Sequence, residues 1–452
     1  MNKKKRKIKE KNLTIFLLSF VIIFLVILFS QSGKNFDNVV SFDGVSEDYK
    51  CSDCNVILIT IDALRPDHLG CYGYEKNTSP NIDKLAKEGV LFTQAISQGS
   101  WTATSLPSLI TSSYPSTSGI FYWNQVFPLN SIDILPKLLK SKGYNTAFIS
   151  AHSIIFKGNP DMFDFSKKIN GAKADRIVQE TELWIENNQN NPFFIWLHLM
   201  DLHDVPAPGP EERPIILDSI YVDKYTSMYD EKLRYVDVQL KDLLEKLDFL
   251  GITESTLIII SADHGEGIND HGLFFDHSMY LWDSLIMVPL IIYYPQPFLQ
   301  NKTIDCQVQL IDIAPTICDF LKIKKPITFE GKTLFSFEDN KSFCSTYAFS
   351  EHQQIDETDD KGNLLYTKVS VRSSDWKLIY TYNQHSKKYE LYNLKNDPKE
   401  LNDIVDIEKD QFELMKAELE EWMSREKQNI IPLTKPLDEK TKEKLRSLGY
   451  LQ

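Results

Sequence analysis

Short runs of uncharged, largely β-branched residues alternate with helix-like stretches through the middle of the chain, and few architectures accept that alternation. NVILITI (Asn55–Ile61), NTAFIS (Asn145–Ser150), FFIWLHL (Phe193–Leu199), TLIIISA (Thr256–Ala262) and VPLIIYY (Val288–Tyr294) are strand-sized. Continuous apolar runs of this length read as parallel strands covered on both faces. Between them, SPNIDKLAKEG opens on a cap and a proline, closes on glycine, and sets Ile82, Leu85 and Ala86 on one face. DEKLRYVDVQLKDLLEKLDFLG, Asp230 to Gly251, lines up Leu233, Val236, Leu240, Leu243, Leu244 and Leu247 as a stripe. The alternation predicts an α/β fold, a parallel sheet with helices on both faces. Past roughly residue 325 the texture changes to short antiparallel strands, in YTKVSVRSSDWKLIYTYNQHSKKYELYNL, followed by a helical DQFELMKAELEEWMSREKQN. No internal repeat is present.

In open α/β sheets ligands gather beyond the carboxyl ends of the strands. Asp62 follows the first run. Asp201 and His203 follow FFIWLHL, with His198 inside it. After TLIIISA comes DHGEGINDHGLFFDHS, which supplies Asp263, His264, His271 and His277, so five of the nine histidines fall in two short segments. Asp and His without thiolates suit Zn²⁺, Mn²⁺ or a harder divalent ion. For DHG alone a turn with a solvated Asp is the plainer reading, and His198 reads equally well as a core histidine. One further stretch, SWTATSLPSLITSSYPSTSG from Ser100 to Gly119, crowds hydroxyls before a helical run. Capping explains such hydroxyls, because a side-chain oxygen accepts from an orphan helix N–H; chemistry at one of them is the alternative.

A net charge of -13 over 452 residues excludes a general nucleic-acid binder. The first twelve residues are the exception, with seven Lys or Arg, and an uncharged run of 18 residues, Leu13 to Ser30, follows. As a helix it covers about 27 Å, close to a ~30 Å hydrocarbon core. Its basic flank predicts a single-pass cell-membrane protein, N-terminus cytoplasmic and the remainder outside. A cleaved signal peptide is the alternative, but no small-residue cleavage site follows promptly. Cys51 and Cys54 are spaced for a small loop disulfide, whereas Cys71, Cys306, Cys318 and Cys344 read as buried thiols.

VILITIDALRPDHLGCYGYEKNTSPNIDKLAKEGVLFTQAIS, the hydroxyl stretch, GYNTAFIS, WLHLMDLHDVPAPG, IIISADHGEGINDHG, VPLIIYYP, QLIDIAPTICDFL and the terminal LRSLGYLQ occur in an order that resembles the sulfatase family of the alkaline phosphatase superfamily. The resemblance implies an alkaline-phosphatase-like sandwich with a large, mostly parallel sheet, and a small C-terminal α+β subdomain. The chain then divides into a basic tail (1–12), a transmembrane helix (13–30), a tether (31–54), a catalytic domain (55–325) and the C-terminal subdomain (326–452). The family's nucleophile is a Cys or Ser in C/S-x-P-S-R, oxidised to formylglycine. Counting back from Leu109–Thr111 places Thr102 there, with Thr104 for Pro and Leu106 for Arg; a rival register places Ser105 there. Threonine cannot mature to formylglycine. A metal-coordinated threonine is instead similar to the usage of nucleotide pyrophosphatases and phosphoethanolamine transferases.

The implied ligand set is Asp62, Thr102, Asp263 and His264, with Ala63 where a second Asp is common. The ion is one divalent metal (Zn, Mn or Ca). GYNTAFISAHSI lacks the family Lys, although His152 is near. His203 and His277 match catalytic or substrate positions. Asp201, His198 and His271 are candidates for substrate or second-metal binding, and Asp201, His203 and His277 together for a second metal. The expected function is cleavage of a sulfate or phosphate ester, on a glycan or lipid headgroup, outside the membrane. A phosphoryl-group transferase and a binding protein on a decayed scaffold are the alternatives.

Overall fold

The computed structural model describes residues 50–122, 132–152, 156, 160–205, 219–277, 279–296, 299–335, 343–355, 364–426 and 443. Residues 13–30 lie outside this set, and among the described residues no helix is long and apolar enough to cross a membrane.

The central sheet uses β1 (Asn55–Ile61), β2 (Val90–Ile96), β3 (Asn145–Ser150), β4 (Phe165–Lys168), β5 (Phe193–Leu199) and β6 (Thr256–Ser261). A small hairpin of β7 (Ile268–Asp270) and β8 (Leu273–Phe274) intervenes before β9 (Met287–Tyr293) and β10 (Lys302–Gln309) complete it. The order across the sheet is β10-β2-β9-β6-β1-β5-β3-β4. β1, β5 and β6 are buried along their whole length, as their uninterrupted apolar runs require.

The expectation of a parallel run at VPLIIYY is corrected here: β9 pairs antiparallel with both β2 and β6, so the sheet is mixed. A parallel return needs a crossover from the opposite edge. Between β6 and β9 the chain makes only the site loop, the hairpin and a four-residue helix, Asp283–Ile286, and so enters β9 from the edge where β6 ended. The amphipathic helix begins at Ser219 and runs to Leu250. Tyr225 and Tyr229, 4% and 0% exposed, continue the Leu233 stripe toward its start.

A second sheet follows, the antiparallel meander β11 (Ala348–Ile355), β12 (Leu364–Arg372), β13 (Trp376–Tyr382) and β14 (Lys387–Asn393). One of its faces packs Phe349, Val371, Leu378 and Leu391 against Met415, Leu419 and Trp422 of the helix Lys409–Glu426. The other face meets the central layer through Ile379, Tyr392 and Ala348 against Ile96, Leu285 and Ile286. A buried charge cluster sits in the same seam. Asp283 accepts from Arg372 Nη2 at 2.9 Å and from Lys377 Nζ at 2.8 Å, and Lys377 also pairs with Glu400 at 2.9 Å.

Cys51 and Cys54 form a disulfide. The reading of Cys306 and Cys344 as thiols is corrected: they are bonded to each other, joining β10 to the segment that leads into β11. Their sequence separation of 38 hid the pair, whereas Cys71 and Cys318 are free as read.

Candidate active site and metal centre

Every element of the site starts at the carboxyl edge of the central sheet. Asp62 follows β1 and is fixed by its own N–H donating to Leu199 O at 2.8 Å. Ala63 then takes a left-handed φ of 59°, and the buried Tyr229 hydroxyl secures the turn by donating to Ala63 O at 2.7 Å. Asp263 and His264 follow β6 and are fully buried. The helix Thr102–Thr111 follows β2, with Trp101 as its N-cap and no side-chain cap bond. Ser97 Oγ ties this loop to the β6 loop, 2.6 Å from Asp263 O.

The geometry sends the two candidate hydroxyls in different directions. Ser105 Oγ turns back on Trp101 O at 3.0 Å, inside the first turn. Thr102 Oγ1 points the other way, donating to Asp62 Oδ2 at 3.0 Å and lying 3.2 Å from His264 Nε2. His264 Nδ1 is 2.8 Å from Gly265 O, an acceptor only, so the neutral ring carries its proton there and presents a lone pair from Nε2.

Asp62, Asp263 and His264 are the group of His, Cys, Asp or Glu among the described residues that could hold one ion, with ligand atoms within 4.8 Å of one another. Asp62 Oδ1 and Asp263 Oδ2 are buried without a hydrogen-bond partner. Two carboxylates, an imidazole lone pair and a hydroxyl oxygen thus share one small buried volume, with the threonine proton as the donor between them. That donor set fits a divalent cation, which would satisfy the orphaned oxygens. Burial and the Asp62 charge push Asp263 above the usual carboxylate range. Burial opposes ionisation of Asp62 too, but the His198 hydrogen bond and the neighbouring His264 and His203 rings hold it well below that range.

His198 stands behind Asp62: its Nε2 lies 3.4 Å from Asp62 Oδ2, and its Nδ1 lies 2.9 Å from Thr60 Oγ1, which accepts from Trp196 Nε1 at 2.9 Å. His277 stacks on His264 at 4.2 Å and meets the His203 ring at 5.4 Å. Burial disfavours its charge, but Glu266, 3.2 Å from Nδ1, raises His277 to about 9. Burial lowers His203. His152 is buried and falls to about 3 through burial and the neighbouring His198.

Two candidates are placed elsewhere. Asp201 Oδ1 accepts from Ala174 N–H at 3.3 Å, at the start of the helix Ala174–Asn188. His271 occupies the two-residue turn of the β7–β8 hairpin with φ of 52°, beside Gly272 at 77°, and stacks on Trp282 at 3.7 Å. Sequence reasoning missed Glu266 and Thr60. Glu266 lies two residues past His264 in the same DHGEG stretch, and that position was the sequence signal for it; Thr60 sits inside an apolar strand and gave none.

The family profile named Sulfatase matches residues 54–323. The chain belongs to the sulfatase family. That family, whose named members are hydrolases acting on sulfate esters, lies within the alkaline phosphatase superfamily. A second profile, the C-terminal region of N-sulphoglucosamine sulphohydrolase, matches residues 269–429. An ulvan-active sulfatase of Formosa agariphila is 26% identical over 62% of this chain and 64% of that protein. An N-acetylglucosamine-6-O-sulfatase of Bacteroides thetaiotaomicron is 22% identical over 83% of this chain and 87% of that one. A structure solved in complex with its substrate, D-glucosamine-2-N,6-O-disulfate, superimposes with a TM-score of 0.66 at 20% identity, covering 83% of this sulfatase and 99% of that chain. Members of the family generally use a divalent metal, and neither the transferase nor the binding-only alternative is favoured.

Proposed function

We propose that this sulfatase hydrolyses the sulfate ester of a sulfated glycan, with Thr102 as the covalent nucleophile and one divalent ion held by Asp62, Asp263, His264 and the Thr102 oxygen. The observation that carries the reading is the Thr102 hydroxyl, at hydrogen-bond distance from both Asp62 Oδ2 and His264 Nε2 in the buried cluster. The glycan rests on the relatives, whose names specify ulvan and N-acetylglucosamine 6-O-sulfate. The ion would supply positive charge that eases ionisation of the hydroxyl and withdraws electrons from the sulfuryl oxygens. The chain's own groups do the rest. Thr102 begins a helix, whose N–H groups face the incoming anion. Oγ1 in its ionised form attacks sulfur while the bond to the leaving alcohol breaks, and the His277 imidazolium, held by Glu266, delivers its proton to that oxygen. Water then attacks the sulfur of the threonine sulfate and gives one proton to the now neutral His277, which restores the imidazolium, frees ionised Oγ1 and releases hydrogen sulfate. A formylglycine enzyme has a second hydroxyl for this step; threonine has none, so the covalent ester needs water.

The test is kinetic. Thr102→Ala should cost more than about a thousandfold in turnover of 4-nitrophenyl sulfate, whereas Ser105→Ala should stay within a few-fold of the parent. Rapid quenching should trap the mass of one SO₃ on the Thr102 peptide. Loss of activity in Ser105→Ala with Thr102→Ala intact would overturn the nucleophile. Faster turnover of 4-nitrophenyl phosphate than of the sulfate would overturn the ester class alone.

A further inference from the structure

We propose that the core-facing side of the C-terminal sheet carries a subsite for a second anionic group on the substrate, formed by Lys368 and His352. The inference rests on the ester-hydrolase reading above and adds to it the class of alcohol that is desulfated.

His352 on β11 lies directly opposite Lys368 on β12, so both side chains leave the same face of the sheet. Two residues before His352, Ser350 donates from that face to Ser97 O at 2.6 Å, which fixes it against the loop that carries Thr102. His352 is 2% exposed, and Gln354, two residues on along the same face, is the polar side chain beside its ring. Its ring meets Trp101, the N-cap of the nucleophile helix, edge-on at 6.2 Å, and Tyr366 at 6.2 Å. Tyr122 closes the group, packing on Trp101 at 5.5 Å and donating its hydroxyl to Gln353 O.

Lys368 supplies the charge. Its Nζ donates to Met279 O at 2.8 Å and lies over the rings of Tyr280 at 4.1 Å and Tyr366 at 5.3 Å. Among the described residues no carboxylate forms an ion pair with it, in a chain whose net charge is -13. The contrast with Lys377 on the neighbouring strand, which has both Asp283 and Glu400, is direct. A part-buried ammonium with ring faces and one carbonyl around it retains donors for an anion. The buried imidazole beside it stays neutral, since burial and the Lys368 charge lower it to about 3, and it adds an N–H donor without a second positive charge. A carboxylate or a sulfate satisfies both groups; a neutral hydroxyl leaves the ammonium without a counter-charge. The chemistry specified is therefore a sulfated sugar with a second anionic substituent, either a second sulfate or a uronate carboxylate.

Three substrates separate these sources: N-acetylglucosamine 6-sulfate, glucosamine 2-N,6-O-disulfate and a 2-sulfated uronic acid. The parent protein should favour one of the dianions over the monosulfated sugar by at least tenfold in kcat/KM, and which one it favours names the group. Lys368→Met should bring that ratio near one, Lys368→Arg should keep it, and His352→Phe should lower it by a smaller factor. A parent without preference, or a preference that survives Lys368→Met, overturns the subsite. If no sulfate ester turns over, the hydrolase reading fails, and the subsite is tested by calorimetric binding of glucuronate to Thr102→Ala protein. Binding weakened by Lys368→Met supports it there; binding unchanged by that substitution, or no binding at all, removes it.

Discussion

His277 and Glu266 give the site its most readable charge. The imidazolium persists to about 9 because a buried carboxylate faces it. Activity that needs the protonated ring falls as pH rises through that value. Glu266→Gln removes the stabilising charge, so the alkaline limb of kcat/KM should move to lower pH, while Glu266→Asp should move it less; a limb that stays in place assigns it to another group. The folded-state value lies above the unfolded one, so the pair contributes stability below pH 6.5 that is lost as pH rises through about 9. A second prediction concerns the cluster itself. Asp263→Asn keeps the shape but removes a charge, and metal bound per chain, measured by plasma emission after dialysis, should fall well below that of the parent. At this scale the meeting of Asp62, Asp263 and His264 with Thr102 beside them was legible, because each stands at a strand end or helix start on one edge of the sheet. Asp201 and His271 showed the same signal for structural reasons, one serving the start of a helix and the other a tight turn.

Elements position these groups through close backbone approaches. Gly265 follows His264, donates to Leu285 O at 2.8 Å, and leaves no room for a side chain: a Cβ there would come within 2.1 Å of Ser284 O. Backbone cannot yield as a flexible side chain does. Gly265→Ala should therefore move the Asp283–Ile286 turn, lower Tm and weaken metal binding together; unchanged metal affinity would separate that turn from the ligand. The strands that escaped notice have a common reason. β2 contains Thr93 and Gln94, and β10 contains Lys302, Asp305 and Gln307, so neither reads as an apolar run. They lie toward one margin of the sheet, and Gln307 is spent on Arg372, whose Nη1 donates to it at 2.7 Å. The direction of β9 was equally silent, because strand composition reports burial and not polarity of the chain.

At the scale of the whole molecule, the second sheet is held to the first by a buried charge cluster and a covalent link. Lys377→Met leaves Asp283 and Glu400 facing each other with one counter-charge fewer, which should cost about 3–5 kcal/mol by urea denaturation; a cost below 1 kcal/mol would make the cluster dispensable. Replacing Cys306 and Cys344 with serine opens a closed loop of 38 residues and should cost about 3–4 kcal/mol on chain-entropy grounds. The disulfides accord with the proposal that residues 13–30 anchor the chain with the enzyme outside. Protease added to intact cells should then reach the catalytic domain, and recovery of the whole protein in the soluble fraction would count against the anchor.

β1, which leads directly into Asp62, has its hydrogen-bonding neighbours far along the chain. The Asn55 side chain alone reaches Phe193, 138 residues on, and Thr256, 201 residues on. During synthesis this uncharged strand waits roughly 10–40 s between its own emergence and that of β6, at the usual 5–20 residues per second. Contacts of such long range make folding slow, and an uncharged strand with both edges open is a template for mispairing. Nascent chains therefore need shielding until β6 has emerged, and an ion held by Asp62, Asp263 and His264 would enter no earlier than residue 264.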